Sequence, residues 1–253
     1  MAAGGARRTA GPLGALIRAV VGALSAALLV RLLLVEPLEV ATSSMAPTLR
    51  PGDHLLVWKA AYGLRLPFTG TSLWPGEPPR RGDVVAFRDL RDPGALLVKR
   101  VVGLPGDLVS LREQVLFLGE AAQPRVDRGE APDERPGAPG EPGIEETCRR
   151  YEETVPTGPL AAAAAPSGPG ATRSYQVLQC RRRRVGRVEG PYGPVAPGHV
   201  FVLGDNRDRS EDGRTGGWQV PLEAMEGRVV LVGWSTATLA GGARTDRLFK
   251  PVE

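Results

Sequence analysis

The chain has 253 residues, 42% of them apolar and 24% charged, and a net charge of +4. That is enough for one large domain or two small ones with a core, and so small a cationic excess does not imply a nucleic-acid partner. Gly (33) and Pro (24) are too abundant for a helical bundle and not periodic enough for collagen; they fit a turn-rich, mainly β protein. Only two His (His54, His199) and two Cys (Cys148, Cys180) are present, and none sits at ligand spacing. A four-Cys zinc or iron–sulfur site is impossible. Phosphate-cradling and dinucleotide glycine motifs are missing. Neither a metal nor any other cofactor is expected.

A short basic segment holding Arg7 and Arg8 is followed by an apolar stretch over residues 11–35, broken by Arg18, Ser25 and Arg31. The spacing predicts a transmembrane anchor over residues 12–34, with Arg18 and Arg31 snorkelling at its ends. A cleaved signal peptide has the same basic start and apolar middle, but Arg31 to Val35 follow where a small-x-small site would stand. A buried soluble helix would have to hide both arginines. The basic residues before the span predict residues 1–11 in the cytoplasm, with everything after Glu36 outside it.

Beyond the anchor, short runs rich in Val, Leu and Phe read as strands: Asp53–Lys59, Asp83–Arg88, Leu96–Val102, Leu108–Leu111, Val115–Leu118, Val200–Leu203 and Gly227–Trp234. Turn chemistry such as Pro51-Gly52-Asp53 or Pro105-Gly106-Asp107 precedes several of them. Such punctuation predicts a small β-barrel-like or sandwich core, formed by residues 35–118 and 195–253. Residues 119–194 read as an inserted, partly disordered domain. Within it Gly129–Gly143 and the Ala161–Ala165 run lack the apolar residues to order themselves, whereas Tyr175–Cys180 looks like a strand. Cys148 and Cys180 are either a disulfide, which an extracytoplasmic location permits, or two free thiols. The Arg181–Arg184 run with Arg187 reads as a solvated face, or as a contact for anionic lipid. Leu64, Leu66, Phe68, Leu73 and Trp74 form a loosely apolar stretch that is either a core hairpin or a surface touching the bilayer.

Chemistry is concentrated in Thr42-Ser43-Ser44-Met45-Ala46-Pro47-Thr48-Leu49, a few residues past the anchor. A serine nucleophile needs a base. His54 and His199 each follow a Pro-Gly turn at a strand start, which suggests exposed structural positions. Lys99 instead sits mid-strand in Leu96-Leu97-Val98-Lys99-Arg100-Val101-Val102. Its ordinary pKa of ~10.4 is useless at neutral pH, but burial can lower it by ~3–5 units. Arg100 alternates to the opposite face, where it is expected to stay in water. From this segment alone Lys99 is either the base or a surface charge.

Five blocks occur in order: Glu36-Pro37; Ser44 to Leu49; Arg81-Gly82-Asp83-Val84-Val85; Lys99 to Asp107; and Gly204-Asp205-Asn206-Arg207-Asp208-Arg209-Ser210-Glu211-Asp212-Gly213-Arg214. This order resembles the type I signal peptidases, membrane-bound Ser/Lys proteases, over residues 30–118 and 195–235. The resemblance implies an endopeptidase that removes signal peptides from exported preproteins after small-x-small sites. It implies Ser44 as nucleophile and Lys99 as general base. The Ser44 N–H and Thr42 hydroxyl would form the oxyanion hole. Ser210 would orient Lys99, supported by an Asp212–Arg214 ion pair. Leu38, Val40, Met45, Leu49, Leu97 and Val98 would line the apolar substrate pockets. The implied partners are signal peptides and the lipid bilayer, with no nucleic acid, and a monomer in the cell membrane is expected. The chain departs from the family pattern with Ser43 for Gly, Thr42 for Ser, Gly213 for Ser, and Gly216-Gly217 for a bulkier pair. A specialised peptidase for one substrate such as a pilin precursor, a self-cleaving repressor, or a non-catalytic scaffold are the competing readings. The repressor would need a DNA-binding domain where the anchor stands.

Overall fold

The computed structural model describes residues 11–65, 72–74, 76–92, 94–135, 144–159, 171–180, 189–215, 219–236, 238–239, 242–243 and 245–252. The Arg181–Arg184 run, Arg187, the Ala161–Ala165 run, Leu66, Phe68 and Gly216-Gly217 lie outside them.

A single helix, Pro12–Leu33, opens the described chain. Pro12 suits its first turn, where a backbone N–H has no acceptor. At ~1.5 Å per residue its 22 residues reach ~33 Å, and it buries none of its side chains. It is, among the described residues, the one helix long and apolar enough to cross a membrane.

Among the described residues after it, the regular structure is strands and short 3-10 turns. The main sheet is antiparallel and runs Val35–Glu39, Asp53–Trp58, Met225–Ser235, Val84–Arg88, Leu96–Gly103, His199–Leu203, Val220–Pro221, with Lys250–Pro251 added to Met225–Ser235. The barrel-like core takes the form of an open sheet, with Val35–Glu39 and Val220–Pro221 at its ends. Pro37 is tolerated because its strand is an edge. Register shifts at Val229/Leu231 and Val232/Trp234 bend the long Met225–Ser235 strand. The strands expected from the sequence are present with end shifts of one to three residues. The Val35–Glu39 strand was not expected.

A second, three-stranded antiparallel sheet joins Arg125–Arg135, Ile144–Pro156 and Thr172–Cys180. The Arg125–Arg135 strand corrects the expectation that residues 129–135 lack the means to order; residues 136–143 lie outside the described residues. Pro132 sits in the outer strand, where a missing N–H costs no ladder bond. Cys148 and Cys180 face each other across this sheet and form a disulfide. Val155, Tyr175 and Val177 from this sheet pack with Val102 and Phe201 of the main sheet and with Val109 and Leu116 of the small sheet Val109–Arg112, Val115–Leu118, Ala121–Ala122, so all three share a core.

Among the described residues four arginines are fully buried: Arg81, Arg100, Arg207 and Arg247. Each is paired with a buried carboxylate, respectively Asp107, Asp205, Glu153 and Asp53. Such pairs add little stability over apolar packing, but removing one partner strands a buried charge at ~3–5 kcal/mol. Arg100 corrects the expectation that it stays in water. It does lie on the face opposite Lys99, but that face is covered by Tyr175, whose ring stands 4.2 Å from the guanidinium.

Candidate active site

Ser44 lies on a single 3-10 turn, Ser43–Met45, which follows the edge strand. Thr42 enters that turn extended (φ −128°, ψ 160°). Ser44 is the second residue of the turn, so its N–H has no acceptor inside the turn. The turn is held from several sides. Its Ser44 carbonyl accepts the Asn206 N–H at 3.1 Å, and Ala46 N–H bonds back to the Ser43 carbonyl at 3.0 Å. Thr48 Oγ1 donates to Asp205 Oδ2 at 2.6 Å. Asp205 in turn takes Arg100 through two bonds of 2.8 Å, and Arg100 also donates to the Gly82 carbonyl at 2.7 Å. Thr48, Asp205 and Arg100 thus tie the serine turn to the Leu96–Gly103 strand.

That strand carries Lys99. Its Nζ lies 3.0 Å from Ser44 Oγ and 3.1 Å from the Val98 carbonyl. Only 4% of the side chain's surface is exposed. Burial pulls the Lys99 pKa from 10.5 down to about 8, against the opposing effect of the Asp212, Asp205 and Glu211 carboxylates; Arg214 adds to the lowering. The amine is thus partly neutral near physiological pH, as a base must be. Thr42 Oγ1 donates to Ser44 Oγ at 3.2 Å, which places that hydroxyl beside the candidate nucleophile.

Behind Lys99, Asp212 is fully buried and bonds Arg214 through Nε at 2.8 Å and Nη2 at 2.9 Å. Asp212 Oδ2 also accepts the Gly204 N–H at 2.9 Å. Burial alone would push the Asp212 carboxyl up, but the Arg214 guanidinium and the Gly204 N–H outweigh it and hold it below the usual carboxylate range. The expected Asp212–Arg214 pair is therefore formed. Ser210 is fully buried, but the Lys99 hydrogen bonds go to Ser44 and Val98 and not to its hydroxyl, which helps to hold the Asp212 carboxyl low. It also packs on Gly204: a Cβ there would lie 2.2 Å from Ser210 Oγ and 2.5 Å from the Ser44 carbonyl oxygen. Gly213 is likewise forced by space, since a Cβ would meet the Phe201 ring at 2.7 Å.

The six apolar residues expected around the substrate divide. Leu38, Val40 and Val98 are half-buried over a cluster that contains Met45 and Leu49. Met45 and Leu49 are sealed inside it, so they form a floor under the other three. Leu97 points to a different cluster, with Val85, Phe87 and Val101, and is not brought together with them. The two histidines take other roles. His54 stacks on Trp234 with ring centroids 4.5 Å apart, and His199 faces the Pro197 carbonyl at 3.0 Å.

Sequence reasoning missed Thr48 and the Val98 carbonyl, whereas the Gly204-Asp205-Asn206 turn was expected to hold its strand end in place. Thr48 stood inside one of the ordered blocks, which was the available signal; the carbonyl left none.

A family model described as signal peptidase, peptidase S26, matches residues 13–234. The chain belongs to this family. It is 34% identical over 189 residues to signal peptidase I of Pseudomonas aeruginosa, covering 74% of this chain and 57% of that protein. It is 31% identical over 221 residues to signal peptidase I of Rickettsia massiliae, covering 83% of this chain and 75% of that one. The chain thus spans little more than half the length of the Pseudomonas relative. A solved signal peptidase I from Enterococcus faecalis matches 60% of this chain and 97% of that one, at 23% identity and a TM-score of 0.31, a likeness too slight to build on.

Proposed function

We propose that the chain is a membrane-anchored serine endopeptidase that removes signal peptides from exported preproteins after small-x-small sites. The observation that carries the proposal is the 3.0 Å contact between Lys99 Nζ and Ser44 Oγ, made by an amine that burial has driven toward neutrality. Neutral Lys99 accepts the Ser44 proton while Oγ attacks the scissile carbonyl. Negative charge then develops on the carbonyl oxygen. The free N–H of Ser44 and the Thr42 hydroxyl donate to it, stabilising the transition state more than the ground state. Lys99 passes its proton to the departing amine, and the mature chain leaves. Water, deprotonated by Lys99, hydrolyses the acyl-enzyme and restores Ser44. Asp212, Asp205 and Glu211 keep the protonated lysine from becoming too costly midway through each step.

Leu38, Val40 and Val98, over Met45 and Leu49, offer shallow apolar ground for residues −3 and −1 of the substrate. Small side chains are accepted because the floor is already packed and larger ones have nowhere to go. The helix Pro12–Leu33 is the anchor, with the β domain outside the cytoplasm. It leads within ten or so residues to Ser44, which suits a substrate whose apolar segment lies in the same bilayer.

The test is cleavage, in detergent, of a preprotein with an Ala-x-Ala site beside one with Phe at position −1. Cutting of the first at its junction, with none of the second, is expected. Equal cutting of both would remove the small-x-small reading, and no cutting of either would remove the assigned activity.

A further inference from the structure

The membrane helix ends beside a cleft that the catalytic chemistry does not use. Helix Pro12–Leu33 stops just before Val35, and Val35 pairs with Trp58 on the neighbouring strand. Trp58 is one wall of a cleft of about 250 Å³. Trp74 and Tyr62 form further walls, and Glu77, Arg80, Asp83 and Arg228 supply charge, Glu77 being 71% exposed at the rim. Arg228 is the register partner of Trp58 on the Met225–Ser235 strand, so its place is fixed by the sheet.

The charged groups are not equally committed. Asp83 is fully engaged, by Arg173 at 2.8 Å, by the Tyr62 hydroxyl at 3.0 Å and by the Arg80 N–H at 3.0 Å. Arg80 makes only a surface pair with Glu77, at 3.1 Å between two mostly exposed side chains, and such pairs are weak and exchangeable. Half-buried Arg228 makes no ion pair or hydrogen bond among the described residues. The cleft therefore offers one uncommitted guanidinium and one easily released, between two indoles. Guanidinium groups match phosphate oxygens in a planar fork. Indole rings settle at headgroup level, their apolar bodies against glycerol and the first methylenes.

We propose that this cleft binds the phosphate headgroup of an anionic membrane lipid, with Arg228 and Arg80 on the phosphate and Trp58 and Trp74 against the glycerol. Its occupant comes from the bilayer because the helix exit lies one strand pairing away. A bound headgroup pins the sheet to the membrane at a second point besides the anchor, and so fixes how the domain lies on the surface. The inference rests on the helix being a membrane span. It does not rest on the peptidase reading, and either can fail alone.

The test is calorimetric titration of the full chain, in an uncharged detergent, with dihexanoyl phosphatidylglycerol. The expected result is saturable binding, weakened about tenfold or more by Arg228→Gln and by Trp74→Ala, with part of the affinity kept by Arg228→Lys. Dihexanoyl phosphatidylcholine should bind about tenfold more weakly, and inorganic phosphate should not saturate the site. Unchanged titration of Arg228→Gln overturns the proposal, as does equal binding of the two lipids. Inorganic phosphate binding as tightly as phosphatidylglycerol would make this a free-phosphate site and overturn the lipid assignment. If circular dichroism shows Arg228→Gln misfolded, Trp74→Ala decides, since that side chain is 67% exposed and its loss leaves the core intact.

Discussion

Replacing Lys99 by Met should give a protein that is inactive and whose stability relative to wild type grows as the pH is lowered toward neutrality. The structure holds the Lys99 amine away from water, and its pKa falls from 10.5 to about 8. A lysine whose native pKa lies below its unfolded value holds its proton less well when folded. Below the native pKa it is charged in both states, and folding bears the full cost of burying the charge. Above the unfolded pKa it is neutral in both, and the cost vanishes. At about 1.4 kcal/mol per pH unit, the cost is ~3 kcal/mol at pH 7 and ~1 kcal/mol at pH 10. Methionine fills similar space without the charge. It also forfeits the Nζ bonds to Ser44 and Val98, each worth ~1 kcal/mol, so the diagnostic quantity is how the stability difference changes with pH. Urea unfolding of both proteins in uncharged detergent, followed by tryptophan fluorescence between about pH 7 and 10, measures it. The stability of the Met variant relative to wild type should fall by ~2 kcal/mol as the pH rises across that range. A difference that stays constant would mean that Lys99 titrates like a free lysine, and the reasoning about burial would be refuted.

The same lowered pKa sets the rate profile: cleavage should climb about tenfold per pH unit below pH 8 and level off above it, and a limb centred near 10.5 would contradict a buried base. Thr42→Val keeps the shape of the side chain but removes the donor beside Ser44, and should lower kcat by about 10²–10³-fold with little change in KM; Thr42→Ser should restore most of the rate. Gly204→Ala drives a methyl group into Ser210 and the Ser44 carbonyl, so kcat should fall steeply, whereas an alanine variant of full activity would show that the serine turn can shift freely.

The sequence made the long apolar helix and most strands legible, because a long uncharged run and short Val/Leu/Phe segments between Gly, Pro and Asp turns leave few alternatives. Ser44 and Lys99 were legible only through the order of five blocks, since each alone has an ordinary reading. Arg100 shows what was hidden. Strand alternation correctly put it opposite Lys99, but its partner Asp205 is 105 residues away and its cover, Tyr175, comes from a segment whose packing the sequence did not reveal. The Arg125–Arg135 strand was obscured for a related reason. It is a polar outer strand whose order comes from pairing with Ile144–Pro156, and composition says nothing of a partner. Leu97 and Val98 are neighbours in sequence, yet one residue of strand puts them into different clusters. A motif match carries both over together; the pleat separates them.

The central claim is that Ser44 and Lys99 perform the chemistry without a histidine. The most direct measurement is the cleavage rate of an Ala-x-Ala preprotein by wild type, Ser44→Ala, Lys99→Ala and the double variant His54→Ala/His199→Ala, with product identified by mass. The account predicts that cleavage at the site vanishes in the first two variants and persists in the third. Cleavage that survives loss of Lys99, or that disappears only with the histidines, would contradict it.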